Sequence, residues 1–262
     1  MKWLLLDAGN SAVKWALAGS EGPNPSARGA VALEAGFARD LTAALEAQLA
    51  ALPTTDLRAI GCSVASDAVT DAIAAAVAAL TSEQAVWLQS EARFEFGGVT
   101  LVNGYREPRQ LGPDRWFAMI AARQSFPRNP VVVVCAGTAV TVDSVDASGR
   151  FLGGVIAPGR ALMADSLARG TARLPAKTGQ AVEMPDNTFD AIATGVADAM
   201  AGLIERRTRA LAQGRTLPQL VLAGGGAEDL ASRLRVSDAV AGIAVEEHLV
   251  LRGLWLRAQR YR

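Results

Sequence analysis

The sequence predicts an α/β protein built from two copies of one structural unit. An apolar run followed by Ala-Gly and a small polar residue occurs twice, as LLLDAGNS at residues 4–11 and as VVVVCAGT at residues 131–138. Each copy opens a series of strand-like segments that then alternate with helix-like segments, as expected for a repeated α/β unit. Between the copies, the sequence FPRNP at residues 126–130 interrupts the pattern with two prolines. We therefore predict an N-terminal domain over residues 1–127 and a C-terminal domain over residues 128–262.

The first copy begins with a strand hairpin. Residues 2–7 form an apolar run typical of a buried strand, and residues 12–18 follow as its partner after a tight Asp-Ala-Gly-Asn turn. The sequence GPNP at residues 22–25 predicts a loop. The spacing of apolar residues then predicts the remaining elements of this copy: helices at 36–51 and 67–80, strands at 57–63 and 85–88, a glycine-containing loop over 97–113 and a helix at 114–125.

The second copy repeats this order. Residues 131–135 and 139–145 predict a hairpin, and an Asp-Ala-Ser-Gly turn leads from it to a third strand at 151–156. The remaining pattern predicts helices at 158–168, 188–212, 227–234 and 246–259, with a strand at 218–223 that is followed by three glycines. Identity between the copies is low, so the interpretation as a repeat depends on the order of elements.

The composition favours a soluble protein of the cytoplasm. Of the 262 residues, 50% are hydrophobic and 20% are charged, which is enough apolar material for a full core. Lys plus Arg and Asp plus Glu number 26 each, and this neutral balance argues against a nucleic-acid partner. Cys62 and Cys135 form no disulfide framework, which fits a reducing compartment. Asp7 ends the first apolar run before it reaches the ~7–15 residues of a secretory core, and no stretch reaches the ~20 residues of a membrane helix.

The turn after the first strand is a candidate phosphate-binding loop. Gly9 permits a positive φ and a close approach of the backbone to a ligand. The exposed N–H groups of the turn, with Ser11 and Lys14, could hold phosphate oxygens. Asp7 beside them would repel a phosphate unless a divalent metal ion lies between the two. The same residues are also typical of an ordinary Asp-Gly hairpin turn.

Two further turns favour a ligand over an ordinary hairpin. Thr138 follows the second Ala-Gly, and two matching turns could hold opposite sides of one polyphosphate across a cleft. The glycines at 224–226 follow a strand and open a helix, so they form a third turn of close approach, where an adenosine could lie. A glycine run by itself is more often a flexible connection. Three such turns in this order indicate a nucleotide-binding protein.

Five motifs together resemble type III pantothenate kinase. In chain order they are DAGNS at 7–11, GPDR at 112–115, AGTAVT at 136–141, GGVIAPG at 153–159 and GGG at 224–226. They span nearly the whole chain in the order of that family, which belongs to the superfamily of actin and the sugar kinases and is related to the Bvg accessory factors of bacteria. The resemblance implies an α/β fold of two duplicated RNase H-like domains with the active site in the interdomain cleft.

The resemblance also implies a reaction. ATP would donate its γ-phosphoryl group, with Mg²⁺, to the primary hydroxyl of pantothenate and form 4'-phosphopantothenate in the first step of coenzyme A biosynthesis. Asp114 is similar in position to the family's catalytic base. The implied pantothenate contacts are Tyr105, Gly112, Pro113, Asp114, Arg115 and Thr188, the last supplied by the partner subunit of a homodimer. The implied ATP contacts are Asp7, Ala8, Gly9, Asn10, Ser11, Ala12, Val13, Lys14 and Thr138, with Asp7 as the candidate ligand of the divalent metal.

Three of these residues also have purely structural interpretations. Asp114 could cap the helix that begins there by satisfying its free N–H groups. Thr188 also resembles a helix N-cap, and its hydroxyl could serve both roles. Tyr105 could be a loop aromatic that packs on the core. The functional alternative is a non-enzymatic, Bvg-accessory-like regulator that keeps the fold, but the presence of Asp7 and Lys14 beside the other candidates favours the kinase.

The second copy departs from the family at Cys135. The resemblance implies an Asp at this position that helps to hold a potassium or ammonium ion near the ATP phosphates. A neutral thiol is a poor ligand for such a hard cation, so the monovalent ion is in doubt unless another acid, such as Asp143, has taken over. We predict that Cys135 is a small, buried packing residue with a protonated thiol.

Overall fold

The chain forms two compact units. The computed structural model describes residues 2–50, 57–81, 84–175, 179–214 and 216–261. One unit consists of Met1–Gln124 with His248–Arg262, and the other of Ser125–Glu247. The first division falls close to the expected boundary after residue 127. The C-terminal segment from His248 packs with the N-terminal unit, whereas we expected it to belong to the C-terminal domain.

The first unit is built on a five-stranded sheet. Strands β1 (Lys2–Ala8), β2 (Ala12–Ala18) and β3 (Pro23–Ala32) are antiparallel, while β4 (Leu57–Ser63) and β5 (Val86–Trp87) continue the sheet in parallel with β1. The order is β3-β2-β1-β4-β5. The other elements of this unit are α1 (Phe37–Leu49), α2 (Asp67–Thr81), a separate hairpin of β6 (Arg93–Phe96) and β7 (Val99–Val102), α3 (Pro113–Ser125) and the C-terminal α7 (Leu249–Ala258).

Strand β1 is central and buried on both faces. Leu4 and Leu6 pack in one cluster with Leu41 and Leu45 of α1. Leu5, which points to the opposite face, is also 0% exposed. A strand that is covered on both faces requires a continuous apolar run. Asp7 follows this run and therefore lies at the carboxyl end of the central strand.

The C-terminal helix α7 joins the first unit through close contacts. Gly253 lies against the backbone of α3, because a Cβ at this position would lie 2.6 Å from the carbonyl carbon of Phe117. The indole Nε1 of Trp255 donates to the carbonyl oxygen of Gly19 at 2.9 Å. Arg252 donates to the side-chain oxygen of Gln124 at 2.9 Å. These contacts explain why residues 248–261 group with the N-terminal unit.

The second unit repeats the sheet of the first. Its elements are β8 (Val131–Ala136), β9 (Ala139–Val145), β10 (Phe151–Pro158), α4 (Arg160–Gly170), α5 (Thr188–Leu211), β11 (Gln219–Ala223), α6 (Ala227–Arg233) and β12 (Gly242–Val245). The strand order is β10-β9-β8-β11-β12, with β8–β10 antiparallel and β11 and β12 parallel to β8. The same order and the same mixture of directions occur in both sheets, so the structure confirms the repeat expected from sequence.

Three segments differ from the sequence-based expectation. The predicted loop at 22–25 is wrong, because β3 starts at Pro23 and pairs with β2 on one side only, where an edge strand tolerates proline. The predicted loop over 97–113 contains part of the β6–β7 hairpin, whose turn residues Gly97 and Gly98 both have positive φ, at 58° and 78°, a pair of values typical of a tight hairpin turn. Strand β12 was not predicted.

Within the described part of the chain, no helix is long and apolar enough to cross a membrane.

Candidate functional site

The loop between β1 and β2 is a short hairpin turn with exposed polar side chains. The backbone N–H of Gly9 donates to the carbonyl of Ala12 at 3.0 Å, and the N–H of Leu33 donates to the carbonyl of Ser11 at 2.9 Å. Gly9 does not have the positive φ that we expected, because the turn closes through this regular hairpin bond. A Cβ at position 9 would still lie 3.3 Å from the Ala12 carbonyl oxygen. Asn10 and Ser11 are exposed at the tip.

Asp7 lies at the end of β1 between a positive and a negative group. Its register partner in β2 is Lys14. Burial raises the pKa of the Asp7 carboxyl from 3.8 to about 6; the Lys14 ammonium opposes this rise and the Asp114 carboxylate adds to it. The structure therefore brings together Asp7, Lys14 and Asp114, although Asp114 lies 107 positions after Asp7 in the sequence and belongs to a different motif. Their arrangement concentrates two carboxylates at the carboxyl end of the central strand.

Asp114 lies in the first turn of α3 and not in front of it. The helix begins at Pro113, so Asp114 is not the residue before the helix that a simple N-cap requires. Burial raises the pKa of its carboxyl, although a hydrogen bond from the backbone N–H of Arg115 acts in the opposite direction. A Cβ at position 112 would lie 2.6 Å from Oδ1 of Asp114, so a side chain there would displace this carboxyl. Gly112 thus lets the carboxyl fold back over the start of the helix.

Arg115 and Tyr105 form a pair beside Asp114. The guanidinium nitrogen Nη1 of Arg115 donates to the Tyr105 hydroxyl at 3.3 Å, and its Cζ lies 5.9 Å from the centre of the tyrosine ring. Arg115 is only 4% exposed, whereas Tyr105 is half-buried. A buried guanidinium retains its charge, so this pair can present a cationic donor and a phenol to an anionic substrate.

The loop that carries Tyr105 is held by a buried asparagine. The Asn103 side-chain oxygen accepts from the N–H of Tyr105 at 3.0 Å, and its Nδ2 donates to the carbonyls of Glu91 and Pro108, each at 3.2 Å. Ser90 adds a buried hydrogen bond to the carbonyl of Leu111 at 2.7 Å. Sequence reasoning did not identify Asn103 or Ser90. The Asn-Gly pair at 103–104 was a visible signal, but its partners become neighbours only in the fold.

Cys62 is a further residue of the site that sequence reasoning missed. It is the register partner of Asp7 in the neighbouring strand β4 and is 0% exposed. Burial, and then the carboxylates of Asp7 and Asp114, hold the pKa of its thiol well above the ordinary value. Cys62 is therefore a neutral, apolar neighbour that helps to desolvate Asp7.

In the second unit, the loop between β8 and β9 meets two glycine turns. The N–H of Gly159 donates to the carbonyl of Thr138 at 2.9 Å, and the N–H of Gly226 donates to the carbonyl of Ala136 at 3.4 Å. Thr138 itself is exposed. The expected third turn at Gly224–Gly226 thus lies next to the Ala-Gly-Thr loop, within one unit.

Cys135 lies on the face of β8 that points away from the main core of the second unit. Its neighbours Val134 and Ala136 belong to that core, while Cys135 is paired in register with Thr141. The prediction of a buried Cys135 is wrong: the residue is partly exposed near the end of the strand. Asp143 lies on the same face of the sheet, two residues beyond Thr141 in β9, and is 1% exposed.

Thr188 is the first residue of α5 and is exposed. Its interpretation as the N-cap is wrong, because the cap is Asn187, whose Oδ1 accepts from the N–H of Asp190 at 3.0 Å. Thr188 lines a cavity of about 720 Å³ between α4 and α5 with apolar residues such as Leu167 and Ile192. Its hydroxyl is therefore not used for capping.

The fold defines the class of protein. Solved structures with low sequence identity share this architecture: a Sinorhizobium meliloti protein described as a 2-dehydro-3-deoxygalactonokinase has a TM-score of 0.60 at 14% identity, covering 99% of both chains. Component A of the (R)-2-hydroxyglutaryl-CoA dehydratase of Acidaminococcus fermentans has a TM-score of 0.53 at 16% identity, covering 100% of both chains. At such identities the likeness concerns the fold alone. The protein has the fold of actin-like ATPases and sugar kinases.

Sequence relatives identify the family within this class. The family model described as type III pantothenate kinase matches residues 3–210. The type III pantothenate kinase of Methylibium petroleiphilum is 43% identical over 236 residues, covering 87% of this chain and 88% of the relative. That of Chromobacterium violaceum is 42% identical over 253 residues, covering 96% and 97%. The chain belongs to the type III pantothenate kinase family.

Proposed function

We propose that this protein transfers the γ-phosphoryl group of ATP to the primary hydroxyl of pantothenate. The observation that carries the proposal is the position of Asp114: a desolvated carboxyl beside Asp7, next to the Arg115–Tyr105 pair. Membership of the family supports the identity of the two substrates. The product would be 4'-phosphopantothenate, the first intermediate on the route to coenzyme A.

Asp114 acts as the general base. Phosphoryl transfer requires little covalent chemistry from the protein, so positioning, charge neutralisation and a base at the attacking oxygen supply most of the catalysis. A carboxyl with a raised pKa holds a proton better than an ordinary one, which suits a base that accepts the hydroxyl proton during attack. Gly112 and Pro113 set the start of the helix that carries it.

Arg115 and Tyr105 hold pantothenate. Pantothenate is an anion with hydroxyl, amide and carboxylate groups, and a buried guanidinium paired with a phenol offers several donors and one acceptor. The brace around Asn103 fixes Tyr105, so the pair is preorganised before the substrate arrives.

The residues around the β1–β2 turn serve ATP. Asn10 and Ser11 are exposed at its tip, and Lys14 supplies a positive charge directly opposite Asp7 in the neighbouring strand β2. In the second unit, the exposed Thr138 hydroxyl is the corresponding phosphate contact. Ala8, Gly9, Ala12 and Val13 form the backbone of the first turn.

Asp7 is suited to a nucleotide-bound Mg²⁺. Among the described residues, no group of three or more His, Cys, Asp or Glu side chains could hold a metal ion. Mg²⁺ in kinases needs only one or two carboxylates, because phosphates and waters complete its coordination. Burial and the nearby Asp114 carboxylate both disfavour the ionised form of Asp7 and raise its pKa. A bound cation would favour the ionised form and offset both effects. When bound, the ion would neutralise phosphate charge.

A monovalent cation at the second loop is not part of the proposal. The thiol of Cys135 is a poor ligand for potassium or ammonium. Asp143 is an acidic candidate on the same face of the sheet, but it is 1% exposed.

We further propose a homodimer in the cytoplasm. Thr188 is exposed and not engaged as a cap, as expected for a residue that contacts pantothenate in the partner subunit. Large apolar side chains of the same unit are also exposed, among them Met184 at 85% and Ile156 at 63%, and such surfaces favour an interface. Neither Cys62 nor Cys135 is in a disulfide, which suits a reducing compartment.

The experiment that tests the function is ATP consumption by the purified protein with and without pantothenate. We expect turnover that depends on pantothenate. ATP hydrolysis that is unaffected by pantothenate, or no ATP consumption, would contradict the proposal. No observation favours the non-enzymatic regulator.

A further inference from the structure

We propose that Gly159 and Gly224 are positioning residues for the phosphoryl donor, a role that rests on the proposed kinase function. Neither residue is expected to act on ATP through a side chain. Their missing Cβ atoms allow two turns to close on the carbonyl groups of residues 136–138, and this clamp holds the Thr138 loop in place.

Gly159 forms the first half of the clamp. Its N–H donates to the carbonyl of Thr138 at 2.9 Å. A Cβ at this position would overlap the carbonyl oxygen of Gly137 and would lie 2.7 Å from the carbonyl oxygen of Thr138. Its φ of −75° and ψ of 177° are accessible to any residue. The requirement for glycine is therefore contact with the Thr138 loop, not backbone conformation.

Gly224 forms the second half. It has a φ of 98°, which favours glycine. A Cβ here would overlap the carbonyl oxygen of Ala136 and would lie 2.8 Å from its carbonyl carbon. The N–H of Gly226, two residues later, donates to the same oxygen at 3.4 Å. The carbonyls of three consecutive residues are thus each in contact with a glycine turn.

An ion-pair cluster joins the helices that follow the two turns. Arg160, immediately after Gly159, pairs with Asp229 of α6, the helix that begins directly after Gly226. Arg233 donates to the other oxygen of the same carboxylate at 3.2 Å. Both arginines hold the pKa of Asp229 below its usual range. The cluster links the outer ends of the two turns and adds to the contacts that hold them against the loop.

The clamp matters because phosphoryl transfer depends on position. A displacement of about 1 Å in a group that orients a substrate can reduce a rate on the order of 10²-fold. An alanine at 159 must push the Thr138 loop or the turn itself by a comparable distance, since the overlapping atoms are backbone. We expect this displacement to weaken ATP binding and to leave pantothenate binding to Tyr105 and Arg115 intact.

The test compares Gly159→Ala and Gly224→Ala with Gly202→Ala. Gly202 lies in α5 of the same unit, and a Cβ there would meet no atom within 4 Å. We expect the first two variants to raise the KM for ATP by at least about tenfold, equivalent to ~1.4 kcal/mol, with the KM for pantothenate changed by less than about twofold. Gly202→Ala should behave as the unsubstituted protein. ADP binding by calorimetry should weaken in the same two variants.

Arg160→Gln provides a milder variant in case either alanine prevents folding. It leaves both turns unchanged and removes one ion pair, so a smaller rise in the KM for ATP, about two- to threefold, is expected. Folded Gly159→Ala protein with normal ADP binding and a normal KM for ATP would overturn the inference. Unsubstituted protein that binds ADP but does not phosphorylate pantothenate would contradict the proposed function alone, and the ADP titrations would still decide the clamp.

Discussion

Replacement of Asp7 by Asn should stabilise the protein while abolishing its activity. The Asp7 carboxyl has a pKa of about 6 in the folded chain against an ordinary 3.8. The folded state therefore binds the proton more tightly than the unfolded state. As the pH rises from 3.8 through 6, ionisation of Asp7 lowers the free energy of unfolding, and above pH 7 the whole penalty is present.

The size of the effect follows from the shift. About two pKa units correspond to ~3 kcal/mol at 1.36 kcal/mol per unit. A neutral Asn avoids this penalty at every pH, so Asp7→Asn should raise the free energy of unfolding by up to ~3 kcal/mol at pH 8 and by roughly half as much at pH 5. With EDTA and without nucleotide, no cation offsets the penalty in the unsubstituted protein.

Urea unfolding at pH 8 and pH 5 measures this difference, with Asp71→Asn as the control. Asp71 is exposed on α2, so its replacement should change the stability by less than ~0.5 kcal/mol at either pH. Activity with Mg²⁺ and ATP should be lost in Asp7→Asn only. A variant that is less stable at pH 8, or one with the same gain at both pH values, would refute the reasoning about Asp7.

Further predictions concern the base, the dimer and the second loop. Asp114→Asn should lower kcat by ~10²–10⁴ without lowering the Tm at pH 8, since burial disfavours the ionised carboxyl; an early-melting variant with normal turnover would show a structural role only. Mixing Asp114→Asn with Thr188→Ala chains should restore part of the activity if each site uses two chains, and full activity in a demonstrated monomer would contradict the shared site. Cys135→Ala should remain active, and exchange of potassium for sodium at constant ionic strength should change kcat by less than ~3-fold, under ~0.7 kcal/mol; strict dependence on potassium or ammonium would show that another acid holds the ion.

The sequence predicts most of the framework because the strands are strongly apolar. The bounds predicted for β2, β4 and β9 agree with the structure, and both copies begin with the three successive strands that the repeat predicts. The order of the strands within each sheet comes from the structure. The edge strands β3 and β12 were not predicted. β3 begins at a proline and β12 is only four residues long, so neither has the long apolar run of a central strand.

The candidate site was predictable where one motif contains the whole arrangement. Asp7 and Lys14 are only seven positions apart, and the short turn between their strands makes them register partners. Cys62, Asn103 and Gly159 were not predictable in the same way. Their importance depends on a neighbour from a distant segment: Asp7 for Cys62, Glu91 for Asn103 and Thr138 for Gly159.

The most direct test of the account is the identity of the product. Purified protein is incubated with ATP, Mg²⁺ and pantothenate, and the mixture is analysed by mass spectrometry with fragmentation to locate the added phosphoryl group. We predict a product heavier than pantothenate by one phosphoryl group, carried on the primary hydroxyl, formed with ADP in equal amount and strongly diminished with Asp114→Asn. Unchanged pantothenate in the presence of folded protein that binds ATP would contradict the central claim.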